Sequence, residues 1–233
     1  MSFSLIIPLF NEEKNIQFLI NEFLNIKNLL KENFEIILIN DCSTDKTLSV
    51  INSLKLDKSE NIKIINNKKN LGQSWSLRIG INNAFYDTIV TIDGDGQNNP
   101  SDIPELLNIY TSMPDVYLVG GLRLKRKDTL VKRISSKIAN KVRSFILKDD
   151  CIDTGCSLKV FDKNIFMALP FFDGIHRFLP ALYKGFGKKT FFIPVDHRPR
   201  LYGNSNYGTM KRFYRGIIDI IRVIIIIKNK KND

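Results

Sequence analysis

Residues 88–97 read Thr-Ile-Val-Thr-Ile-Asp-Gly-Asp-Gly-Gln, a β-branched run that breaks into two aspartates on a glycine-rich turn. Short apolar runs bounded by polar residues are what buried parallel strands look like. Working outward, Phe3–Pro8, Phe34–Asn40, Ile62–Ile65 and Val116–Gly120 have the same character. Helical patterns fill the gaps. Ile16, Leu19, Ile20, Phe23, Ile26 and Leu30 recur at helical spacing. Thr44–Leu56, Gly72–Phe85 and Ser101–Tyr110 are the next helices, the last opening on a Pro-Ser-Asp start signal. The order β-α-β-α-β-α-β-α-β reads as an open, doubly wound α/β sheet. In such sheets ligands bind beyond the carboxyl ends of the strands.

Four of those ends are polar: Pro8-Leu9-Phe10-Asn11-Glu12-Glu13, Asn40-Asp41-Cys42-Ser43-Thr44-Asp45, Asn66-Asn67-Lys68-Lys69-Asn70-Leu71-Gly72 and Asp93-Gly94-Asp95-Gly96-Gln97. Neither G-x-G-x-x-G after the first strand nor G-x-x-x-x-G-K-[ST] anywhere is present. A nucleotide at this edge would therefore meet carboxylates, and through them a metal. Asp93 and Asp95, two residues apart on a turn freed by glycine, can reach one hard cation such as Mg2+ or Mn2+, and Gln97 can add a carbonyl ligand. The same residues also make an ordinary turn. Asp41, at a strand end, can accept hydrogen bonds from a base or ribose, while Ser43 or Thr44 caps the next helix with Asp45 in its first turn. Glu12 and Glu13 suit either a helix N-terminus or the edge of a nucleotide pocket beside Pro8.

The chain has 233 residues, 43% of them apolar and 25% charged, which suits one large α/β domain with a sizeable core. Collagen-like, disordered and disulfide-stapled classes are excluded. Three cysteines without a C-x-x-C pair, and two histidines, exclude a zinc site and fit a reducing compartment. The N-terminus lacks the basic region of a signal peptide. The net charge of +11 calls for an anionic partner, and its placement says which kind. Residues 1–120 carry a net −5, 121–148 a net +9, 149–197 balance, and 198–231 carry +8. An acidic first half is thus followed by two basic blocks.

In the second half, Leu130–Leu147 sets Val131, Ile134, Ile138, Val142 and Phe145 at helical spacing among lysines and arginines, a basic amphipathic helix. Ser157–Phe161 and Thr190–Val195 read as strands and Ile175–Gly185 as a short helix. A last helix runs from Tyr207 to about Ile227, with Arg212, Arg215, Asp219 and Arg222 on one stripe and Ile, Val and Phe on the rest. Trp75 and Phe191-Phe192 are expected in the core, Cys151 and Cys156 as structural thiols, and His176 and His197 in core or hydrogen-bonding roles.

Ile6-Ile7-Pro8-Leu9-Phe10-Asn11-Glu12, Asp41-Cys42-Ser43-Thr44-Asp45 and Asp93-Gly94-Asp95-Gly96-Gln97 resemble the successive motifs of family 2 glycosyltransferases with the GT-A fold. Gly121-Leu122-Arg123, Asp153-Thr154-Gly155-Cys156, His197-Arg198-Pro199-Arg200 and Gly203-x-Ser205-x-Tyr207 are similar to the polyprenyl-phosphate branch, which includes dolichol-phosphate mannosyltransferase. The resemblance spans roughly residues 2–220. One departure is Asn206, where the family usually has Lys between that Ser and Tyr. The resemblance implies a GT-A catalytic domain over 1–220, with a nucleotide-sugar half (1–120) and an acceptor half (121–220), an interfacial helix over 207–227 and a polar tail over 228–233. It implies a divalent metal on Asp93, Asp95 and Gln97, Asp41 facing the base, and Pro8, Asn11, Glu12 and Arg200 lining the nucleotide-sugar site. It implies an acceptor phosphate held by Arg123, Lys132, Ser135, Arg198 and Ser205, with Asp95, Arg123 and Asp153 as the catalytic set.

The implied reaction is inverting transfer from GDP-mannose or a UDP-sugar to a polyprenyl phosphate, whose ionised oxygen needs no strong base. A saccharide hydroxyl acceptor, with Asp153 as base, is the alternative. A nucleic-acid module is the distant one, since the basic blocks interleave with Ile and Leu and no nucleic-acid motif occurs. No segment reaches the roughly 18–20 apolar residues of a spanning helix. The expectation is a peripheral enzyme on the cytoplasmic face of the membrane, with a membrane-protein partner or homo-oligomer as further possibilities.

Overall fold

The apolar runs assemble into one seven-stranded sheet in the computed structural model, which describes residues 2–30, 33–54, 61–123, 143–200, 202 and 209–232, the last stretch with side chains over 215–230. The strands are β1 (Phe3–Leu9), β2 (Phe34–Asn40), β3 (Ile62–Asn66), β4 (Thr88–Thr91), β5 (Val116–Leu122), β6 (Lys159–Asp162) and β7 (Lys189–Pro194), in the spatial order β3-β2-β1-β4-β6-β5-β7. β3, β2, β1 and β4 are mutually parallel, β5 pairs in parallel with β7, and β6 runs antiparallel to both β4 and β5. β6 alone is therefore reversed.

That reversal departs from the simple doubly wound expectation, in which β5 would lie beside β4. It matters for the site. A reversed strand brings its start, not its end, to the edge where its neighbours finish. Lys159, the first residue of β6, pairs with Thr91 on one side and Gly120 on the other. The segment leading into β6 thus meets the ends of β4 and β5.

Helices cover both faces. On β1, Leu5, Ile7 and Leu9 face one side and Ile6 the other, as strand geometry requires. The first face packs α1 (Ile16–Ile26) and α4 (Ile103–Ser112), and the second packs α3 (Gln73–Asn82), α5 (Lys163–Ala168) and α6 (Leu179–Gly185). The short α2 (Thr47–Ser53) follows β2. An 11-residue helix such as α1 is marginal alone. Its buried Ile16, Leu19, Ile20, Phe23 and Ile26 supply the stability, at about 1.5–3 kcal/mol for each fully buried side chain. The sequence did not announce α5, which is too short for a periodic pattern. Asp162 starts it by accepting a bond from the Ile165 N–H at 2.8 Å.

The final helix, α7 (Thr209–Asn232), turns Asp219 inward, while Arg215 and Arg222 of the same stripe stay exposed at its flanks. Asp219 and Val223 are buried, and Asp219 meets Arg177 at 2.8 Å and Arg222 at 3.4 Å. Arg215 pairs with Asp173 at 3.4 Å, and Arg222 lies over the Phe172 ring. Ile227 sits on Gly185, where a Cβ would come within 2.5 Å of it. Ile217, Ile218, Ile221, Ile224 and Ile225 face outward, 40–57% exposed. Two packing expectations need correction. Trp75 is 43% exposed, lying against Phe171 at 4.3 Å, and Phe191 is 38% exposed, so neither belongs to the core.

Candidate active site

The ends of β1 and β2 are laced together by side chains. The Asn11 N–H donates to Ser43 Oγ (3.0 Å), and Asn11 Oδ1 accepts from the Thr44 N–H (2.8 Å). The Glu12 N–H donates to Thr47 Oγ1 (2.8 Å), and the Lys46 N–H to Glu13 Oε2 (2.9 Å). Ser43 and Thr44 are thus spent on Asn11 instead of capping a helix. Asp45 serves the start of α2, its Oδ1 accepting from the Thr47 N–H at 2.9 Å.

Asp41 is buried and accepts three hydrogen bonds. Its Oδ1 accepts from Asn67 Nδ2 (2.8 Å) and the Leu71 N–H (2.9 Å), and its Oδ2 from the Gly72 N–H (2.7 Å). It shapes the loop after β3, the third wall of the same pocket.

The Asp93-Gly94-Asp95 turn lies against the end of β1. A Cβ on Gly94 would run into Leu9 and sit 3.3 Å from the Pro8 carbonyl, so the residue between the aspartates has to be glycine. Asp93 Oδ1 accepts from Gln73 Nε2 at 2.6 Å, and the Asp93 N–H donates to Ser157 Oγ at 3.0 Å. Ser157 in turn donates to Asn98 Oδ1 at 2.9 Å. Burial, and then the neighbouring Asp95, push the Asp93 carboxyl up to about 6. Asp95 Oδ1 accepts from the Gln97 N–H at 3.1 Å, and Gln97 Nε2 donates to the Arg198 carbonyl at 3.3 Å. Arg200 crosses this site, bonded to Glu12 and 3.9 Å from Asp95. Burial raises Glu12, with Asn15 and Arg200 acting against the rise.

On the other side stands Arg123. Its Nε and Nη2 grip Asp153 Oδ2 and Oδ1 at 2.7 and 2.8 Å, and its Nη1 is 3.5 Å from His197 Nε2. Burial opposes its charge, but the two bonds to Asp153 outweigh that and raise its pKa. A Cβ on Gly155 would lie 2.7 Å from Arg123 Nη2, so this glycine clears room for the guanidinium. Arg198 behaves differently. It forks onto Glu22 of α1 at 2.6 and 2.7 Å and lies over Phe18, which anchors the 196–200 segment. His176 is held 2.7 Å from Ser74 Oγ, away from this chemistry.

The structure therefore brings Pro8, Glu12, Asp93, Asp95, Gln97 and Arg200 together, with Asn11 and Asp41 as wall-builders and Arg123–Asp153 alongside. Lys132, Ser135, Ser205 and Asn206 lie outside the described residues, as does all of the Leu130–Leu147 helix before residue 143. Three participants escaped the sequence reading. Gln73 and Ser157 touch Asp93 directly, and the buried Lys159 donates to the Cys156 carbonyl with its charge facing Asp93. Only Ser157 carried a signal, following directly on Asp153-Thr154-Gly155-Cys156.

Residues 4–169 match the family described as Glycosyl transferase family 2. The chain belongs to that family. This family 2 glycosyltransferase is 31% identical over 208 residues to undecaprenyl-phosphate 4-deoxy-4-formamido-L-arabinose transferase of Yersinia pestis (strain Pestoides F), covering 89% of this chain and 63% of that protein. It is 32% identical over 235 residues to dodecaprenyl-phosphate galacturonate synthase of Rhizobium johnstonii, covering 99% of this chain and 68% of that one. The chain thus spans just under two thirds of the length of the Yersinia relative. Among solved structures it superposes on glucosyl-3-phosphoglycerate synthase of Mycobacterium tuberculosis in complex with Mg2+ and UDP, with a TM-score of 0.68, 16% identity and coverage of 96% of this chain and 78% of that one. The same enzyme with Mn2+, UDP and phosphoglyceric acid gives a TM-score of 0.69 at 16% identity, covering 96% and 77%. At such identity the likeness establishes the GT-A fold.

Among the described residues of this glycosyltransferase, no group of three His, Cys, Asp or Glu is placed to hold a metal ion. The oxygen set of Asp93, Asp95 and Gln97 nevertheless fits Mg2+ or Mn2+, which bind through one or two carboxylates and fill the remaining positions with water and phosphate oxygens. A cation here would offset the desolvation and the Asp95 charge that raise the Asp93 carboxyl.

Proposed function

We propose that this enzyme transfers a sugar from a nucleoside diphosphate to a polyprenyl phosphate, with inversion at the anomeric carbon, at the cytoplasmic face of a membrane. The observation that carries the choice of acceptor is the state of Asp153. A saccharide hydroxyl would need it as a base, yet both its oxygens are engaged by Arg123. A phosphate monoester, by contrast, is already ionised near neutrality and attacks without a base. The names of the two relatives, both polyprenyl-phosphate sugar transferases, support the same choice.

In this reading Asp93, Asp95 and Gln97 hold a divalent cation, which supplies charge stabilisation to the leaving diphosphate. Arg200, released from Glu12, pairs with donor phosphate oxygens. Arg123, kept rigid by Asp153 and Gly155, presents its remaining donors to the acceptor phosphate. The bond between the anomeric carbon and the diphosphate breaks as the acceptor oxygen bonds to that carbon from the opposite face, and the gain comes chiefly from alignment. No described helix is long and apolar enough to cross a membrane. The outward isoleucines of α7, followed by Lys228 and Lys230, support an interfacial position.

The test is a screen of radiolabelled GDP- and UDP-sugars with undecaprenyl phosphate and Mn2+ or Mg2+. One donor is expected to label the lipid, and Asp95→Ala to abolish the labelling. Labelling of no lipid by any donor would overturn the reading.

A further inference from the structure

We propose that Gln73 is a positioning residue for the donor site, fixing the orientation of Asp93 so that one carboxylate oxygen is left for the cation. The proposal rests on the metal-site reading above. Gln73 is the first residue of α3, and its flanks are both tethered. The Gly72 N–H is held by Asp41 Oδ2 at 2.7 Å. Ser74 Oγ accepts from the Gly174 N–H at 2.7 Å and meets His176 Nδ1 at 2.7 Å. Residue 73 is thus fixed between the wall that Asp41 builds and the loop that docks α7. Its carboxamide reaches Asp93 Oδ1 at 2.6 Å, while the Asp93 N–H is tied to Ser157.

With Oδ1 turned onto Gln73, Oδ2 is the Asp93 oxygen that Gln73 leaves for a metal. The chemistry of the donor is informative. A lysine or arginine here would orient the carboxylate equally well but would repel a dication. A carboxamide orients it without adding charge. Gln73 is not among the residues that α3 buries, which are Ser74, Ser76, Leu77, Gly80 and Ile81.

The experiment is Mn2+ binding, followed by the electron paramagnetic resonance of free Mn2+, on wild type, Gln73→Met, Gln73→Asn and Asp95→Asn, with thermal midpoints measured alongside. Gln73→Met keeps the length of the side chain and removes the donor. Gln73→Asn keeps the amide but shortens its reach, so it serves if the first variant misfolds. Both are expected to weaken Mn2+ binding about 10-fold or more, the usual effect of losing a partner of a metal ligand. They should also raise the Mn2+ concentration for half-maximal transfer, with smaller loss of rate at saturating metal. Unchanged Mn2+ affinity in folded Gln73 variants, with Asp95→Asn impaired, would overturn this proposal alone. Equal binding by wild type and Asp95→Asn would overturn the metal site itself.

Discussion

The half-buried histidine bonded to Ser74 of α3 makes a pH prediction that can be worked through. His176 sits with Nδ1 2.7 Å from Ser74 Oγ, and burial, then the nearby Arg177 and Lys159 cations, hold its pKa down at about 3. An unfolded histidine titrates at about 6.5. The native ring therefore refuses a proton that the unfolded chain accepts. The stability it contributes is fully present above pH 6.5 and is lost as pH falls from there toward 3. At about 1.4 kcal/mol per pH unit, the loss between pH 7.5 and 5.0 is about 2 kcal/mol, an upper figure because the ring keeps some contact with solvent. Asp93, Glu12, Asp102 and Asp219 all have raised pKa values and gain stability as pH falls, so the wild-type curve alone hides the effect. A His176→Gln variant isolates it. Urea unfolding of both proteins at pH 7.5 and 5.0 gives four free energies. The variant should be less stable at pH 7.5, and the gap should shrink by about 2 kcal/mol at pH 5.0. A gap that stays constant, or widens in acid, would refute the argument.

Two further outcomes follow from the same geometry. Arg123→Lys keeps the charge but loses the fork onto Asp153, and should lower kcat/KM for lipid labelling about 100-fold, equivalent to about 2.7 kcal/mol. If Asp153→Asn were far more damaging than Arg123→Lys, a base role for Asp153 would be favoured instead. The double change Ile221→Asp with Ile225→Asp alters two outward positions of α7 and should leave the thermal midpoint nearly unchanged. Sedimentation with anionic liposomes should fall at least about 10-fold, since each isoleucine offers about 1 kcal/mol of burial to the lipid. Liposome binding equal to wild type would remove the interfacial role of this face.

How much the sequence disclosed depended on the kind of information each feature needs. Strands were legible because a buried run carries its own boundaries, as Phe34–Asn40 did. Direction was not, because an apolar run such as Val160-Phe161 reads the same either way, and so the reversal of β6 was invisible. The carboxylates of the site were legible, since Asp93-Gly94-Asp95 is short and local. Their supports were not, because Gln73 and Ser157 come from 20 residues before and 64 residues after Asp93, and only Ser157 adjoins a recognisable motif. Amphipathicity of the last helix was clear from the spacing of Arg215, Asp219 and Arg222. Its orientation needed the partners: Arg177 draws Asp219 inward, and Asp173 pairs with Arg215 at the exposed flank. Trp75 was misjudged for a related reason: aromatic character says nothing about which face of α3 it lies on.

A lipid phosphate as nucleophile is best checked by comparing acceptors at a single active donor. Undecaprenyl phosphate, undecaprenol and a panel of oligosaccharides would be offered in parallel, with the product examined by phosphorus NMR. The expected product is a sugar phosphodiester formed from undecaprenyl phosphate alone, of opposite anomeric configuration to the donor. Transfer to undecaprenol or to a saccharide hydroxyl, with undecaprenyl phosphate left unmodified, would contradict it.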